Sequence, residues 1–380
     1  MLQRLTPVFA LLLLLLTATA HAVVLPSPAP PVIGAKSYLV IDARTGKELA
    51  SLNPDAELAP ASLTKLMTTY VVFDALQQGQ IKLTDETTIS EKAWRTEGSR
   101  MFVEVDSRVA IKDLLLGMIV QSGNDASVAL AEHIAGSESV FAELMNQRAA
   151  ALGMHASHFR NATGLPAEGH VTTARDLTTL ARALINDFPE HYAWHAIKEF
   201  TYNDIKQDNR NSLLWRDPSV DGLKTGHTED AGYCLVASAE RDGMRIISTV
   251  LGTASTKSRT DGSQALINYG FRFFETRLLW KAGAEVTSAR IWKSANEYSS
   301  LGVLDDLYIT LRRGAYDQLE STLDIPAVIE APIAGGQPVA ELRVHLGDEQ
   351  LLSAPLRALE DNPLGSVWQR IRDSVSLLFE

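Results

Sequence analysis

Three short strings of residues contain side chains that could perform nucleophilic catalysis together. Ser62 and Lys65 lie three residues apart in the string SLTK. Ser122 and Asn124 belong to the string SGN, and Lys224 opens the string KTG. A serine followed three positions later by a lysine occurs by chance about once in a chain of this length, so one string alone is a weak signal. The three strings in this order indicate acyl transfer by an activated serine.

The first string has the spacing that activates a serine. Pro60 fits the first turn of a helix, so we expect the Ser62 hydroxyl to leave the helix end, with its N–H available to an oxyanion. Lys65, one turn further on, lies on the same face and can reach the Ser62 oxygen. To act as a base near neutral pH, a lysine must lose roughly three units from a pKa of about 10.4, or about 4 kcal/mol. Burial and a second cation act in that direction, and we expect Lys224 to be that cation.

The remaining polar residues suit the other steps of the reaction. Ser122 can relay a proton to a leaving nitrogen, and the amide of Asn124 can hold a substrate carbonyl. Lys224, with Thr225 beside it, is suited to fix an anionic group on an edge strand. Gly226 leaves room for a peptide to lie alongside that strand.

Composition and charge exclude several other classes of protein. The 35 Lys and Arg residues against 46 Asp and Glu residues give a net charge of −11, whereas nucleic-acid binding needs a basic face, so we expect no nucleic-acid partner. Cys234 is the single cysteine, which excludes an intrachain disulfide and a Cys-rich metal site, and we expect it to be a small buried filler. His191 and His195 stand four apart, as zinc ligands can, but no third ligand follows at a plausible spacing. We therefore predict no metal and no organic cofactor.

The start of the chain has the pattern of an exported protein. Arg4 precedes an apolar run that includes Leu11–Leu16, and a small-x-small site (Ala20-His21-Ala22) follows. This pattern predicts a secretory signal peptide over residues 1–22, because a membrane-spanning helix needs about 20 apolar residues.

The other end has the pattern of a short amphipathic helix over residues 364–380. Apolar residues from Val367 to Phe379 recur at three- and four-residue steps, Trp368 is among them, and polar residues occupy the opposite face. The pattern favours a helix lying in a bilayer surface. Docking on the protein's own core is the alternative, which helical spacing supports equally well.

Strand patterns at both ends of residues 34–276 enclose a helical region. Strands are predicted over 38–42, 48–52, 232–240 and 244–251, and helices over 114–120, 126–135, 140–152, 176–186 and 258–276. We therefore predict an α/β domain over residues 34–276. Alternating patterns at Leu307–Leu311 and Ala340–Leu346, punctuated by glycine and proline, predict a small all-β domain over 277–362.

These motifs resemble those of the D-alanyl-D-alanine carboxypeptidases, the low-molecular-mass penicillin-binding proteins of the serine peptidase class. The strings that carry the resemblance are ASLTKLMT at 61–68, SGNDA at 122–126, ARDL at 174–177, NRN at 209–211 and DGLKTGHT at 221–228. The signal peptide, the β-domain and the terminal helix match the family's layout too. The resemblance implies the penicillin-binding, serine β-lactamase-like transpeptidase fold, an antiparallel sheet with a helical subdomain, followed by a small all-β domain.

The resemblance also implies a role for each site residue. Ser62 would be the acylated nucleophile and Lys65 its base, with Ser122, Asn124 and Lys224 as further active-site polar groups.

In the same family, the backbone N–H groups of Ser62 and His227 would form the oxyanion hole, and Arg210 would lie near the substrate carboxylate. Thr225 and Gly226 belong to the same substrate-binding strand.

The implied reaction is a two-step acyl transfer. Ser62 attacks the penultimate D-Ala carbonyl of a peptidoglycan stem pentapeptide, the terminal D-Ala leaves, and water hydrolyses the acyl-enzyme. β-Lactams resemble that dipeptide and should acylate Ser62. The expected location is the periplasmic side of the inner membrane, with peripheral attachment through the C-terminal helix.

Three alternatives remain open at this stage. A β-lactamase of one class uses a glutamate to direct water, and Glu168 is a candidate, but position 172 is threonine and the middle string reads SGN instead of SDN. A D,D-endopeptidase would use identical residues, although the family's endopeptidases commonly lack the β-domain. A cell-wall scaffold protein is the non-enzymatic alternative, against which the intact nucleophile and base argue.

Overall fold

The computed structural model describes residues 28–379, so the signal peptide predicted for residues 1–22 lies outside the described residues. Within that range the strands, numbered in chain order, are β1 Ser37–Asp42, β2 Glu48–Leu52, β3 Glu86–Thr88, β4 Arg108–Ala110, β5 Glu199–Tyr202, β6 Ile205–Asp208, β7 Val220–Thr228, β8 Gly232–Arg241, β9 Met244–Thr253, β10 Phe274–Trp280, β11 Glu285–Arg290, β12 Tyr298–Gly302, β13 Leu307–Arg312, β14 Leu319–Asp324, β15 Pro338–Leu346 and β16 Glu349–Ala358. The α-helices are α1 Thr64–Gln77, α2 Glu91–Arg95, α3 Ile111–Leu116, α4 Asn124–Ala135, α5 Glu138–Ala151, α6 Ala174–Asp187, α7 Pro189–Tyr192, α8 Leu213–Arg216, α9 Thr256–Phe273 and α10 Val367–Ser376. Short 3-10 turns cover Ala61–Leu63, Ala193–Ala196 and Tyr316–Gln318, and a π-helical turn covers Gly117–Gln121.

An antiparallel sheet in the order β2-β1-β9-β8-β7 lies at the centre of the first domain. Successive side chains of a strand point to opposite faces. Cys234 and Val236 of β8 therefore join the core formed with α1 and α6, whereas Leu235 and Ala237 join the core formed with α9. Strand β7, which contains the KTG string, lies at the edge of this sheet, as predicted.

Polar caps set where several helices begin. The side chains of Ser137, Thr173 and Ser255 each accept a backbone N–H from the first turn of α5, α6 and α9, respectively. Such caps each contribute about 1 kcal/mol because the first N–H groups of a helix have no partner within it. Gly136 ends α4 in the left-handed conformation, with φ of +74°.

One predicted helix end is wrong, and one predicted helix start is confirmed. The helix predicted from 258 to 276 ends at Phe273, because the chain continues as β10 and pairs with β13 from Phe274 onward. The helix predicted to open at Pro60 does begin there: Pro60 caps the 3-10 turn Ala61–Leu63, and α-helical geometry follows from Thr64.

The second domain has its own sheet, in the order β11-β12-β16-β15-β14, beside the β10–β13 ladder. Its core includes Leu301, Leu342 and Leu356. Hydrogen bonds join it to the first domain, among them one of 2.6 Å between the hydroxyls of Thr45 and Thr310. Over residues 28–379, no helix has the length and apolar character that crossing a bilayer requires.

Candidate active site

A surface pocket of about 470 Å³ brings most of the predicted site residues together. Its lining contains Ser62, Ser122, Asn124, Arg210, Thr225, Gly226 and His227, together with Gly98, Ser99, Thr163, Gly164, Leu165, Thr228, Tyr233, Thr256 and Arg259. Lys65 and Lys224 lie behind this wall, with only 1% and 4% of their surface exposed. The pocket therefore presents hydroxyl and amide groups to a ligand and keeps the two amines out of bulk water.

The backbone around Ser62 is arranged to expose its hydroxyl. Ala61, the preceding residue, has φ of +47°, a left-handed value that is unfavourable for an alanine. Ser62 is half-buried at the pocket surface. Gly164 packs so closely on this turn that a Cβ atom at its position would overlap the carbonyl group of Ala61. Gly226 of β7 also lies against Ala61, so two glycines allow the backbone to close around the nucleophile.

The Lys65 amine makes three hydrogen bonds that fix it beside the nucleophile. Its Nζ atom donates to Ser62 Oγ at 3.0 Å, to Asn124 Oδ1 at 2.7 Å and to the Thr163 carbonyl at 2.6 Å. Burial lowers the pKa of Lys65 to about 7, and the charge of Arg210 acts in the same direction. A substantial fraction of Lys65 is therefore neutral near pH 7 and able to accept a proton.

Besides burial, the charge of Arg210 lowers the pKa of Lys65, and the charge of Lys65 is among those that lower the pKa of Lys224. Repulsion between two amines acts on both of them, so Lys65 and Lys224 each favour the neutral form of the other, and Arg210 is a further cation that the prediction did not include. Burial lowers the pKa of Lys224 well below its usual value, followed by the charges of Lys65, Arg210 and Arg259. The two buried amines therefore differ in their surroundings, which suits different roles.

The Lys224 amine is directed at the second serine. Its Nζ atom donates to Ser122 Oγ at 2.8 Å and to the Thr225 carbonyl at 3.0 Å. Ser122 has φ of +69° between the π-helical turn and α4. This left-handed residue turns its hydroxyl into the pocket from the junction of two helices.

Asn124 is held by backbone groups as well as by Lys65. Its Nδ2 atom donates to the Glu97 carbonyl at 2.6 Å, and its N–H donates to the Ser99 carbonyl at 2.7 Å. An amide NH₂ has two hydrogens, so one remains for a substrate carbonyl. The segment 97–103 thus forms a pocket wall attached to the start of α4.

Asp125 holds that wall in place. Its buried carboxylate accepts the N–H groups of Met101, Phe102 and Val103 at 3.0, 2.9 and 3.3 Å. Local sequence carries no signal for this role, because the three donors lie more than 20 residues away and belong to no regular element.

Arg259 is a further pocket residue that the sequence analysis missed. It is buried in the first turn of α9, and its guanidinium donates to the Gly226 carbonyl at 3.3 Å. Arg210, which was predicted, lines the pocket and is exposed. His227 is also exposed, and its ring stacks on Tyr233 with centroids 3.9 Å apart. Nothing in the local sequence distinguishes Arg259 from a surface residue of a helix.

Other candidate residues lie outside this pocket. Glu168 is exposed and lines a neighbouring pocket. His195 is buried against the Leu223 carbonyl, and His191 stacks on Phe73. No group of three residues that could hold a metal ion occurs within residues 28–379. Burial raises the pKa of the Cys234 thiol to about 11, as expected for a filler.

Comparison with known protein families identifies the family to which a chain with this site belongs. The S11 peptidase family model, described as D-alanyl-D-alanine carboxypeptidase, matches residues 25–255. The chain belongs to the D-alanyl-D-alanine carboxypeptidase family. The model for the C-terminal domain of penicillin-binding protein 5 matches residues 274–363.

Two individual relatives each cover about nine tenths of this chain, and a third covers about two thirds. D-alanyl-D-alanine carboxypeptidase DacA of Escherichia coli strain K12 is 41% identical over 360 residues, which are 93% of this chain and 89% of DacA. Penicillin-binding protein 5 from Haemophilus influenzae has a TM-score of 0.84 at 40% identity, covering 88% of this chain and 99% of that structure. Penicillin-binding protein D2 from Listeria monocytogenes, in its ampicillin-bound form, has a TM-score of 0.59 at 31% identity, covering 64% and 100%. The predicted family and fold are confirmed.

Proposed function

We propose that this chain removes the terminal D-Ala from peptidoglycan stem pentapeptides through an acyl-enzyme on Ser62. The observation that carries the proposal is the 3.0 Å contact between the buried Lys65 amine and Ser62 Oγ. Neutral Lys65 accepts the serine proton while Oγ bonds to the penultimate D-Ala carbonyl carbon. The carbonyl oxygen becomes an oxyanion, which the backbone N–H groups of Ser62 and His227 stabilise.

Departure of the terminal D-Ala requires a proton on its nitrogen. Ser122 Oγ accepts a hydrogen bond from Lys224 at 2.8 Å and can pass a proton from that amine to the leaving group. The depressed pKa of Lys224 makes it a stronger acid than an ordinary lysine. In the second step the oxygen of water bonds to the acyl carbon and the bond to Ser62 Oγ breaks. Lys65 returns its proton to Ser62 Oγ, and the proton that water releases restores Lys224.

The positively charged end of the pocket is suited to bind the free carboxylate of the substrate. Arg259 and Arg210 supply positive charge there, and Thr225 supplies a hydroxyl on β7. Asn124 keeps one amide hydrogen for the carbonyl of the preceding residue. This charge pattern supports cleavage of an amide whose leaving residue carries a free carboxylate, as the terminal D-Ala does.

A β-lactam places a strained amide and a carboxylate at the same relative positions, so penicillins should acylate Ser62. Slow hydrolysis of that adduct distinguishes the proposal from a β-lactamase. Glu168, the candidate water-directing residue for a β-lactamase, lies outside the Ser62 pocket, which disfavours that alternative.

The test combines a fluorescent penicillin with two peptide substrates. We expect a stable adduct and D-Ala release from a pentapeptide, both lost in Ser62→Ala. Rapid loss of the label would indicate a β-lactamase. Cleavage of a cross-linked peptide dimer without D-Ala release would indicate an endopeptidase. Labelling or binding with no turnover of either peptide would indicate a scaffold.

We propose further that the exported enzyme attaches to the periplasmic surface of the inner membrane through α10. The helix has a capping box formed by Ser366 and Gln369. Asp373, on its inner face, is buried and accepts the backbone N–H of Lys293 at 2.7 Å. Its outer face is apolar, and Trp368 is 81% exposed. A helix that docks by its polar side and leaves its apolar side open is suited to an interface with lipid.

A further inference from the structure

A second pocket, of about 380 Å³, adjoins the Ser62 pocket. The two share Gly164, Leu165 and Thr228 as common wall residues. The rest of the second lining is Ala59, Pro60, Ala61, Pro166, Ala167, Glu168, His170 and Asp230. The two pockets are therefore neighbours, and a ligand bound to Ser62 that extends past Thr228 would reach the second one.

The direction of the substrate follows from the proposed function, on which this inference rests. The terminal carboxylate belongs at the end of the site where Arg210, Arg259 and Thr225 lie. Strand β7 continues from Thr225 to its last residue, Thr228, and the second pocket includes Thr228 and Asp230. The part of the peptide on the acyl side of the scissile bond therefore extends towards the second pocket.

Two carboxylates line this pocket without an ion-pair partner. Glu168 and Asp230 are both exposed, and neither forms a salt bridge within the described residues 28–379. The Lys36 amine donates to the backbone carbonyl of Asp230 at 3.4 Å and leaves its carboxylate uncommitted. Arg160 packs behind Gly169 and is not part of the lining.

His170 provides a second and independent feature of the same pocket. It is 5% exposed, and its Nε2 atom lies 3.0 Å from the Thr64 hydroxyl. Its Nδ1 atom is buried and has no hydrogen-bond partner among residues 28–379. An unpaired buried ring nitrogen is unfavourable unless a ligand or water pairs with it. Burial, followed by the charges of His158 and Arg160, lowers the pKa of His170 to about 4, so at neutral pH the ring does not repel a cation.

We propose that the second pocket binds an ammonium-bearing side chain on the acyl side of the scissile D-Ala-D-Ala bond. Glu168 and Asp230 supply the countercharge, and His170 supplies a polar group on the buried side. The pocket then selects stem peptides whose diamino residue carries a free amine over those in which that amine is blocked.

Two pentapeptides test this inference. Both end in D-Ala-D-Ala and carry lysine at the third position, and they differ only in whether the lysine side-chain amine is free or acetylated. We expect native protein to release D-Ala from the free-amine peptide with a kcat/KM about fivefold higher, the size of one partly exposed ion pair. In Glu168→Gln/Asp230→Asn this preference should fall below about twofold, mainly through KM of the free-amine peptide.

Glu229→Gln is the matched control, because Glu229 is an exposed acid next to Asp230 that does not line the pocket. This variant should keep the preference for the free-amine peptide. Acylation by benzylpenicillin, which has no amine, should stay within twofold in every variant and reports that the site is folded. Equal cleavage of both peptides by native protein, or an equal loss of preference in Glu229→Gln, would overturn the inference while leaving the carboxypeptidase activity intact. Failure to cleave either peptide would overturn the proposed function itself.

Discussion

The amine of Lys224 donates a hydrogen bond of 2.8 Å to the hydroxyl of Ser122, a residue 102 positions earlier in the chain. Local structure alone does not bring these two groups together. Ser122 sits at a left-handed junction between helical segments, and Lys224 lies on the edge strand β7. The pair therefore joins the helical subdomain to the sheet at the reacting centre.

Loss of the Ser122 hydroxyl should slow acylation while the fold persists. In Ser122→Ala we expect the acylation rate with benzylpenicillin to fall by about 10²–10⁴-fold, because the proton path from Lys224 to the leaving nitrogen is broken. Stopped-flow or gel-based labelling measures the rate. Ser127→Ala is the control, since that buried hydroxyl in the adjoining helix α4 donates only to the Gly123 carbonyl and does not line the pocket. Equal rates in the two variants would exclude the proposed proton path.

Acylation should depend on pH through Lys65. Burial lowers its pKa to about 7, and only the neutral amine can accept the Ser62 proton. The rate should therefore rise with pH through about 7, and at pH 6 it should be roughly tenfold below the value that full deprotonation of Lys65 would give. At higher pH the rate should fall again as the Lys224 amine, whose pKa is also lowered, loses the proton that the leaving nitrogen needs. Second-order acylation constants measured from pH 5 to 11 test this. A rate that keeps rising to an inflection near 10, the ordinary value for lysine, would contradict the assignment of Lys65 as the base.

The Asp125 carboxylate should matter for both stability and rate. Asp125→Asn replaces one acceptor oxygen by a donor that faces backbone N–H groups, so we expect a loss of about 1–3 kcal/mol in the free energy of unfolding. We also expect slower acylation, because the wall at 97–103 that holds Asn124 is released. Urea unfolding and penicillin labelling are the two measurements. Asp106→Asn, at an exposed position near the same wall, should change neither.

A comparison of two left-handed glycines separates the stability cost of close packing beside Ser62 from the cost of backbone conformation. Gly164 and Gly153 have φ of +82° and +78°, but a Cβ atom at Gly164 would overlap Ala61, whereas one at Gly153 meets nothing within 4 Å. Gly153→Ala should lose about 1–2 kcal/mol from backbone conformation alone. Gly164→Ala should lose about 1–3 kcal/mol more and slow acylation, because the turn before Ser62 must shift. If denaturant unfolding gave the same loss for both, the packing argument would be wrong.

Deletion of residues 364–380 should release the protein from membranes. The exposed apolar face of α10 would be the contact with lipid, so the shortened protein should stay in the supernatant when anionic vesicles are sedimented. Trp368→Glu should weaken sedimentation of the full chain in the same assay. Ser376→Glu, at an exposed position on the side of the helix away from Val367 and Ile371, is the control. Continued sedimentation of the shortened protein would rule out α10 as the anchor.

Local sequence patterns predicted several helices, one hairpin and one of the active-site contacts. Apolar periodicity located α4, α5 and α6 to within about two residues, because a helix that packs on a core must repeat its apolar residues along one face. The hairpin of β8 and β9 was recognised from its alternation and its turn. The Ser62–Lys65 contact was predictable for the same reason, since residues three apart on a helix lie on one side.

What the sequence by itself determined about this protein is its set of reactive groups, their order and the elements that carry them. Tertiary structure alone decided that Thr163, 98 residues away, supplies a carbonyl to Lys65, that Asp125 holds the wall of the pocket, and that Arg210 tunes the base. Arg259 and the second pocket beside Gly164 belong to the same category. The physical reason is that burial and contact between distant segments set these relationships, and neither property repeats with a period that local sequence could reveal.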